Sequence, residues 1–448
     1  MINQPLVPSA LSDESKSASA ELALADAIAQ GLRRHRNASA GYDPTAAKNS
    51  KSTTLESSPD FVTSFHLPNA PTPADLLTLR AHLPISPALV PLATDKLTGE
   101  QLIAGRAAEL EGTASNIGVL IVNLGAPEAA KPAAIWRFLR ESANDPRVIE
   151  IGSSFWKRSF LRRIAVNGVV LPMRSWRRTR RYRKMRIKAS NQLPLRNVTR
   201  SQAGKLTGIL DPLGKRVIVD WAFRYAEPSI AARLEALVAR RCDRILVVPL
   251  YPQFSALTTA TICDQVFRLL IGMHRQPALR ITPAFYDDPH YIELLASSLS
   301  AELKKLPFEP EVILASYQNL PQEYLRNNDP YGEQCATTTQ LLRDYLKIDE
   351  KKLRMTYHPR FGHVSSLQPS TIEAVKALAK KGVKNLVLIT PDFCSDGLET
   401  LQEITLEAGR VFKRHGGENF ASVPCLNDSE EGMLLITRLA MRELQGWV

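Results

Sequence analysis

The residues best suited to chemistry are a row of carboxylates near the C-terminus. Asp396 is followed by Glu399, Glu403 and Glu407, so three glutamates recur at intervals of four residues. An α-helix would place them on one face, where like charges cost about 0.2–0.5 kcal/mol per pair, so the arrangement calls for a reason. Such carboxylates can transfer protons or hold a cation. The structural alternative is a capping box, in which Asp396 and Glu399 stabilise the first helical turn.

A second set of polar residues follows short apolar runs that are typical of buried strands. Asn123 ends the first run, the segment 251–261 follows another, and Gln318 and Asn319 follow a third. Ligands of parallel α/β sheets bind at the carboxyl ends of the strands, so these positions are candidates for a binding site. Gln318 offers only hydrogen bonds, because a carboxamide has no useful basicity.

The elements that must position these residues alternate along the chain from residue 116 onward. Apolar runs predict strands at 118–124, 216–223, 244–250, 279–284, 312–317, 353–357 and 385–390. Amphipathic runs between them predict helices at 228–240, 261–273, 291–306 and 370–381. This alternation predicts an α/β fold of two Rossmann-like lobes, each a parallel sheet flanked by helices. We place the lobes at 114–306 and 307–448 and expect the last helix to pack back on the first lobe.

Composition narrows the class of protein. Residues 1–113 are rich in Ser, Ala, Asn and Thr without a sustained apolar period, which predicts a disordered low-complexity tail. The apolar runs are strand-sized, which argues against a transmembrane helix. Five scattered cysteines without a C-x-x-C pair predict a reduced cytoplasmic protein with neither a zinc site nor an iron–sulfur cluster. No strand is followed by a G-x-G-x-x-G or Walker loop, which disfavours a nucleotide enzyme.

The positive charge is concentrated in one stretch. The chain carries a formal charge of +12, and 16 Lys and Arg residues lie in the range 157–205, which contains no acid. This stretch is consistent with a solvated helix face, a nucleic-acid site, an anionic membrane surface or a site for a carboxylate ligand. Because no nucleic-acid signature accompanies it, we expect no nucleic-acid partner, and a peripheral membrane contact stays open.

Taken in order, the polar runs after the strands resemble those of ferrochelatases, which insert ferrous iron into a porphyrin. The resemblance covers about 330 residues, from Asn116 to the C-terminus. It is carried by the sequences at 123–127, 224–225, 249–255, 258–261, 316–321, 329–331 and 391–401. It implies a two-lobed chelatase fold and a lyase of haem biosynthesis whose ligands are a porphyrin and ferrous iron. Iron is then a substrate, so no resident cofactor is expected.

The resemblance also implies which residues bind the porphyrin. A porphyrin is a flat apolar ring with two propionates, so its site needs an apolar slot with cationic or hydroxyl groups at the rim. Arg174 and Tyr182 match the family's propionate-side positions, and Leu193 stands where the family has a serine. The other matched positions are Tyr251, Ser255 and Arg360.

The family's catalytic and metal-contacting positions fall on Gln318 and Glu399. Two pyrrole protons must leave as iron enters, and the family uses a histidine in a Ser-Phe-His-Gly-x-Pro turn. Gln318 stands at that histidine. Since general-base catalysis is worth about 10²–10⁴ in rate, we expect impaired metal insertion. The resemblance assigns Glu399 to proton removal or metal delivery, and we assign Asp396 and Glu403 to a proton or metal relay.

The segment 357–369 departs from the family's Gln-Ser-Arg-x-Gly and Trp-Leu-x-Pro runs. Arg360 remains, whereas Ser366 stands at the tryptophan and removes a ring that could stack on the porphyrin. His358 and His363 are additional histidines. Either could supply the missing imidazole, or both could simply face solvent, as lone loop histidines commonly do.

Two functions therefore stay open, and a third is less favoured. The first is a slow ferrochelatase. The second is a catalytically inactive porphyrin- or haem-binding protein that acts as a carrier, sensor or modulator. Intact motifs at 251–261 and 395–401 favour the enzyme, while Gln318, Leu193 and Ser366 indicate impairment. The third is a binder of anionic membranes or nucleic acid through 157–205.

Overall fold

The protein, analysed as a computed structural model, contains two four-stranded parallel sheets. The structure describes residues 115–149, 179, 182, 193–213, 216–358 and 366–448. The predicted tail at 1–113 lies outside these residues, as do Arg174, Arg360, His363 and most of the basic stretch. Among the described residues, no helix combines the length and apolar character needed to cross a membrane.

The first sheet has the strand order β2-β1-β3-β4. Its strands are β1 (Asn116–Asn123), β2 (Val217–Phe223), β3 (Cys242–Pro249) and β4 (Ala278–Ile281). The helices of this part are α1 (Pro132–Ala143), α2 (Pro146–Ile149), α3 (Pro194–Leu210), α4 (Ile230–Ala239), α5 (Thr261–Ile271) and α6 (Pro289–Lys305). A short 3₁₀ helix spans Asp211–Leu213, and one π-helical segment spans Ala256–Ala260. Every β1 residue after Asn116 is buried, as expected for a central strand covered on both faces.

The second sheet has the strand order β6-β5-β7-β8. Its strands are β5 (Val312–Gln318), β6 (Leu353–His358), β7 (Asn385–Ile389) and β8 (Asn419–Ser422). The helices are α7 (Gln322–Arg326), α8 (Tyr331–Leu346), α9 (Thr371–Lys380), α10 (Glu407–Arg414) and α11 (Glu430–Leu444). A second π-helical segment spans Glu399–Leu406 and runs directly into α10.

Three apolar clusters hold these layers together. One cluster covers the face of the first sheet that packs on α4 and α5, and another covers the face of the second sheet that packs on α9 and α10. The third and largest contains residues of both sheets, for example Ile121 of β1 and Tyr317 of β5. Each sheet is therefore buried on both faces, which explains why the strand runs are apolar rather than alternating.

The last helix packs among elements of the first lobe. Leu435, Ile436 and Leu439 of α11 belong to the large shared cluster and are almost fully buried. Arg280 of β4 donates a hydrogen bond of 2.9 Å to the carbonyl oxygen of Gln445 just beyond α11. The chain end is thus held by both apolar packing and a charged donor.

The predicted fold class is confirmed by this architecture. Each of the seven predicted strands is present, with ends shifted by at most three residues. β8 was not predicted, because its four residues, Asn-Phe-Ala-Ser, are too short to show an apolar run.

Candidate active site

A cavity lies where the strand ends of both sheets meet. Its volume is about 160 Å³. Most of its lining residues end strands or lie in the segments that follow them: Asn123, Leu124, Gly125, Tyr225, Leu250, Tyr251, Gln318, Phe393, Cys394, Ser395, Gly397 and Glu399. The carboxyl edge of a parallel sheet is where the α/β folds bind ligands, because the connecting loops diverge there.

The wall formed by the first sheet depends on a close approach of two loops. Gly125 has a φ of +117°, and a Cβ atom there would lie 2.1 Å from the carbonyl oxygen of Tyr225. Only glycine tolerates both conditions. The backbone N–H of Leu124 donates to the Tyr251 hydroxyl at 2.9 Å. Tyr251 is 7% exposed, and burial raises the pKa of its hydroxyl, so it stays protonated on the cavity wall.

Tyr225 is held on the same wall by a buried charge network. Its hydroxyl donates to the carboxylate of Asp145 at 2.9 Å. Arg224 forms an ion pair with the same carboxylate and donates to Thr261 Oγ1 at 2.7 Å. The side chains of Arg224 and Asp145 are only 8% and 2% exposed. Removing one partner of a pair this deeply buried would leave an uncompensated charge, so the network rigidifies this wall.

On the opposite wall, Gln318 ends β5 beyond the point where β5 and β7 stop pairing. Their last register pair is Ala315 and Ile389. The backbone N–H of Gln318 donates instead to Asp392 Oδ2 at 2.6 Å, and the Tyr331 hydroxyl donates to the same oxygen at 2.9 Å. The Asp392 side chain thus replaces the backbone acceptor that strand pairing would provide, and it fixes the strand end that carries Gln318.

Asp392 is a functional candidate that sequence reasoning missed. Its side chain is 4% exposed, and burial raises the pKa of its carboxyl to about 7. The other oxygen, Oδ1, is buried and has no hydrogen-bond partner among the described residues. The available signal was its position two residues after the strand predicted at 385–390, within the matched sequence 391–401.

Glu399 lines the same cavity as Gln318 and stands at the start of the second π-helical segment. Here the backbone ladder runs from i to i+5, and the Thr405 hydroxyl also donates to the Thr400 carbonyl at 2.7 Å. The segment is therefore not the α-helix that was expected to carry Glu399, Glu403 and Glu407, and a face shared by all three stays a prediction. Glu399 is half-buried at the cavity, whereas Glu407 is exposed.

Asp396 makes structural bonds rather than a capping box. Its carboxylate accepts from Thr400 Oγ1 at 2.8 Å, from Asn427 Nδ2 at 2.7 Å and from the Cys425 backbone N–H at 3.2 Å. No N–H of the first helical turn reaches it in the described residues, and Asp396 is not among the cavity-lining residues. The relay role for Asp396 and Glu403 stays a prediction. The backbone of Glu403 lies in the π-helical segment, and its side chain lies outside the described part of the structure.

The remaining predicted porphyrin residues fall in different places. Ser255 is 2% exposed, caps the first π-helical segment and donates to Asp329 Oδ2 at 3.3 Å, away from the cavity lining. Leu193 and Tyr182 are buried in the shared apolar cluster. Ser366 is buried and bridges to Pro321 in the backbone. The structure thus brings together Gln318, Glu399 and Tyr251.

Comparison with known proteins identifies the family to which this chain is similar. The profile of the ferrochelatase family matches residues 116–444. A ferrochelatase of Rhodopseudomonas palustris strain BisB5 is 48% identical over 332 residues, which cover 74% of this chain and 94% of the relative. A ferrochelatase of Nitrobacter hamburgensis gives the same identity and the same two coverages.

Solved structures resemble this one more distantly. SirB from Bacillus subtilis with Fe³⁺ is 13% identical, with a TM-score of 0.44, over 73% of this chain and 94% of SirB. A multi-domain protein of Deinococcus radiodurans, described as structurally similar to chelatases, is 14% identical with a TM-score of 0.39, over 73% of this chain and 55% of that protein.

Proposed function

The chain belongs to the ferrochelatase family, and from that premise we propose that it inserts ferrous iron into a porphyrin as a lyase of haem biosynthesis. The observation that carries the proposal is the cavity at the strand ends, which both Glu399 and Gln318 line. The high identity to relatives named ferrochelatase favours the enzyme over a protein that only binds porphyrin.

The proposed reaction exchanges two protons for one cation. The two pyrrole N–H protons leave as Fe²⁺ binds the four ring nitrogens, so the charge of the site stays balanced. Glu399, half-buried at the start of the π-helical segment, accepts one proton as a general base. Gln318 orients the ring and the leaving proton by hydrogen bonds, because its carboxamide cannot hold a proton. Iron is the substrate here, and the proposal includes no resident cofactor.

The role of Glu399 is tested by its uncharged isostere. In Glu399→Gln, we expect zinc insertion into protoporphyrin IX, followed by fluorescence, to fall about 10²–10⁴-fold, while porphyrin affinity stays within twofold. Glu407→Gln is the matched control, because Glu407 is exposed eight residues further on and should keep the wild-type rate. Wild-type turnover in Glu399→Gln would contradict the role of Glu399. Tight porphyrin binding without any turnover in the wild-type protein would favour the binding function instead.

The location of the enzyme is proposed from the sequence. We propose that the basic stretch 157–205 brings this cytoplasmic protein to an anionic membrane surface, since each Lys or Arg near such a surface contributes about 1 kcal/mol. We expect co-sedimentation with vesicles containing one-third phosphatidylserine, loss of binding in about 0.5 M salt, and none with pure phosphatidylcholine. Equal binding to both vesicles would refute the membrane contact.

A further inference from the structure

His358 lies beside Gln318 at the end of the neighbouring strand. β5 and β6 are parallel, and their last register pairs are Tyr317 with Tyr357 and Gln318 with His358. The backbone N–H of Asn319 donates to the His358 carbonyl oxygen at 2.9 Å, which continues the ladder past this pair. Neighbouring parallel strands lie about 4.8 Å apart, and register partners project to the same side of the sheet.

The side of the sheet is identified by the pair two residues earlier. Ser316 Oγ lies 2.7 Å from Thr371 Oγ1, and Thr371 Oγ1 donates to Thr356 Oγ1 at 2.9 Å. Ser316 and Thr356 are register partners, and both therefore face α9. Since side chains alternate with a period of two, Gln318 and His358 project to that same face.

The same face carries the helix that bears Glu399. Leu314 of β5 and Leu388 of β7 pack on this face against Ile404 of the second π-helical segment and Ala408 of α10. The intervening tyrosines, Tyr317 and Tyr357, point the other way into the shared cluster, with ring centroids 6.3 Å apart. His358 therefore projects to the face of the sheet that packs against the segment bearing Glu399, and it lies one strand away from the cavity-lining Gln318.

This position rules out the solvent-facing interpretation for His358. The residue ends a strand and is only 6% exposed, whereas a lone loop histidine would be hydrated. An imidazole is the side chain whose ordinary pKa makes it a proton acceptor near neutral pH. Metal insertion releases two protons, and of the two residues assigned to catalysis, Gln318 and Glu399, only Glu399 can accept one.

We propose that His358 accepts the second pyrrole proton, with Gln318 guiding that proton by hydrogen bonds between the cavity and the imidazole. This inference rests on the proposed function. One N–H proton passes to a His358 ring nitrogen and the other to the Glu399 carboxylate, as Fe²⁺ takes the place of both. The two groups then release their protons to solvent. The imidazole that the family has at the position of Gln318 on β5 is thus supplied by His358 on the neighbouring strand β6.

The exchange of the two side chains tests the proposal. Zinc insertion into protoporphyrin IX is measured with the full-length wild-type protein, with His358→Gln, and with the double variant Gln318→His/His358→Gln. We expect His358→Gln to lower kcat about 10²-fold with porphyrin affinity and thermal midpoint unchanged, and the double variant to recover at least the wild-type kcat. His274→Gln is the matched control, because His274 is exposed and far along the chain from the strand ends. If His358→Gln does not fold, His358→Asn takes its place in the comparison.

Three results would overturn the proposal. The first is a kcat of His358→Gln and His358→Asn within threefold of wild type. The second is a loss of kcat that the double variant does not recover, which would indicate a purely structural histidine. The third is wild-type inactivity together with turnover by Gln318→His. Inactivity of the wild type, Gln318→His and the double variant alike would instead refute the proposed function, so the two failures are distinguishable.

Discussion

Replacing Asp392 by asparagine should change how the stability of this protein depends on pH. The carboxylate is 4% exposed, and burial raises its pKa from 3.8 to about 7. The folded protein therefore keeps a proton that the unfolded chain releases between about pH 4 and pH 7. Stability is lost as the pH rises through this window, because the unfolded state binds fewer protons than the folded one. A pKa difference of this size corresponds to about 4 kcal/mol at pH 9.

The asparagine side chain keeps the geometry and removes the charge. Its carbonyl oxygen can accept from the Gln318 N–H and the Tyr331 hydroxyl, as Asp392 Oδ2 does now. Its N–H group takes the position of a carboxyl O–H, so the two neutral side chains make similar demands on the buried surroundings. We therefore expect Asp392→Asn to be more stable than wild type by about 1.5 kcal/mol at pH 5 and by about 4 kcal/mol at pH 9.

Urea unfolding at half-unit steps from pH 5 to pH 9, followed by tryptophan fluorescence and circular dichroism, measures this difference. Asp287→Asn is the control, because Asp287 is exposed, and its curve should run parallel to that of wild type. A stability difference between Asp392→Asn and wild type that is the same at pH 5 and pH 9 would show that Asp392 is not held protonated by burial.

Two further perturbations follow from the cavity walls. Gln318→His should raise zinc insertion into protoporphyrin IX, because it places an imidazole on the lining of the cavity that Glu399 also lines. An unchanged kcat would show that a base at position 318 does not contribute to metal insertion. Gly125→Ala should lower the free energy of unfolding by more than about 1–3 kcal/mol, because its Cβ would lie 2.1 Å from the Tyr225 carbonyl oxygen at a φ of +117°. The control Gly204→Ala, in a helix with nothing within 4 Å of the added atom, should be neutral or stabilising, and equal losses at both glycines in urea unfolding would contradict the steric explanation.

The glutamates Glu399, Glu403 and Glu407 show a case in which the local sequence did not predict the type of helix. The spacing of four residues was interpreted as an α-helix, and the sequence from Glu399 to Leu406 has no glycine or proline that would indicate another form. The segment is nonetheless π-helical, and the Thr405 hydroxyl donates to the Thr400 backbone carbonyl across the widened turn. π-Helical turns are commonly retained at functional sites, where they aim a side chain that an α-helix would place elsewhere. Glu399 is the residue aimed at this cavity.

Gln318 illustrates the opposite case. Its position at a strand end was readable from the apolar run before it, and its inability to act as a base follows from the amide group alone. The expected consequence, impaired insertion, stays a prediction. What the sequence could not reveal is that His358 is its register partner and that Asp392 holds its backbone. Both neighbours change the chemistry available at the strand end.

The sequence by itself determined the two parallel sheets, the strand ends at which the cavity forms and the family to which the chain belongs. These depend on apolar runs and short motifs, which are local properties of the chain. Only the tertiary structure decided which distant residues meet. Asp392 reaches Gln318 across 74 positions, and His358 joins it through the parallel register of β5 and β6. Strand order arises from the packing of whole layers, so the residues that meet at the strand ends cannot be identified from any single stretch of sequence.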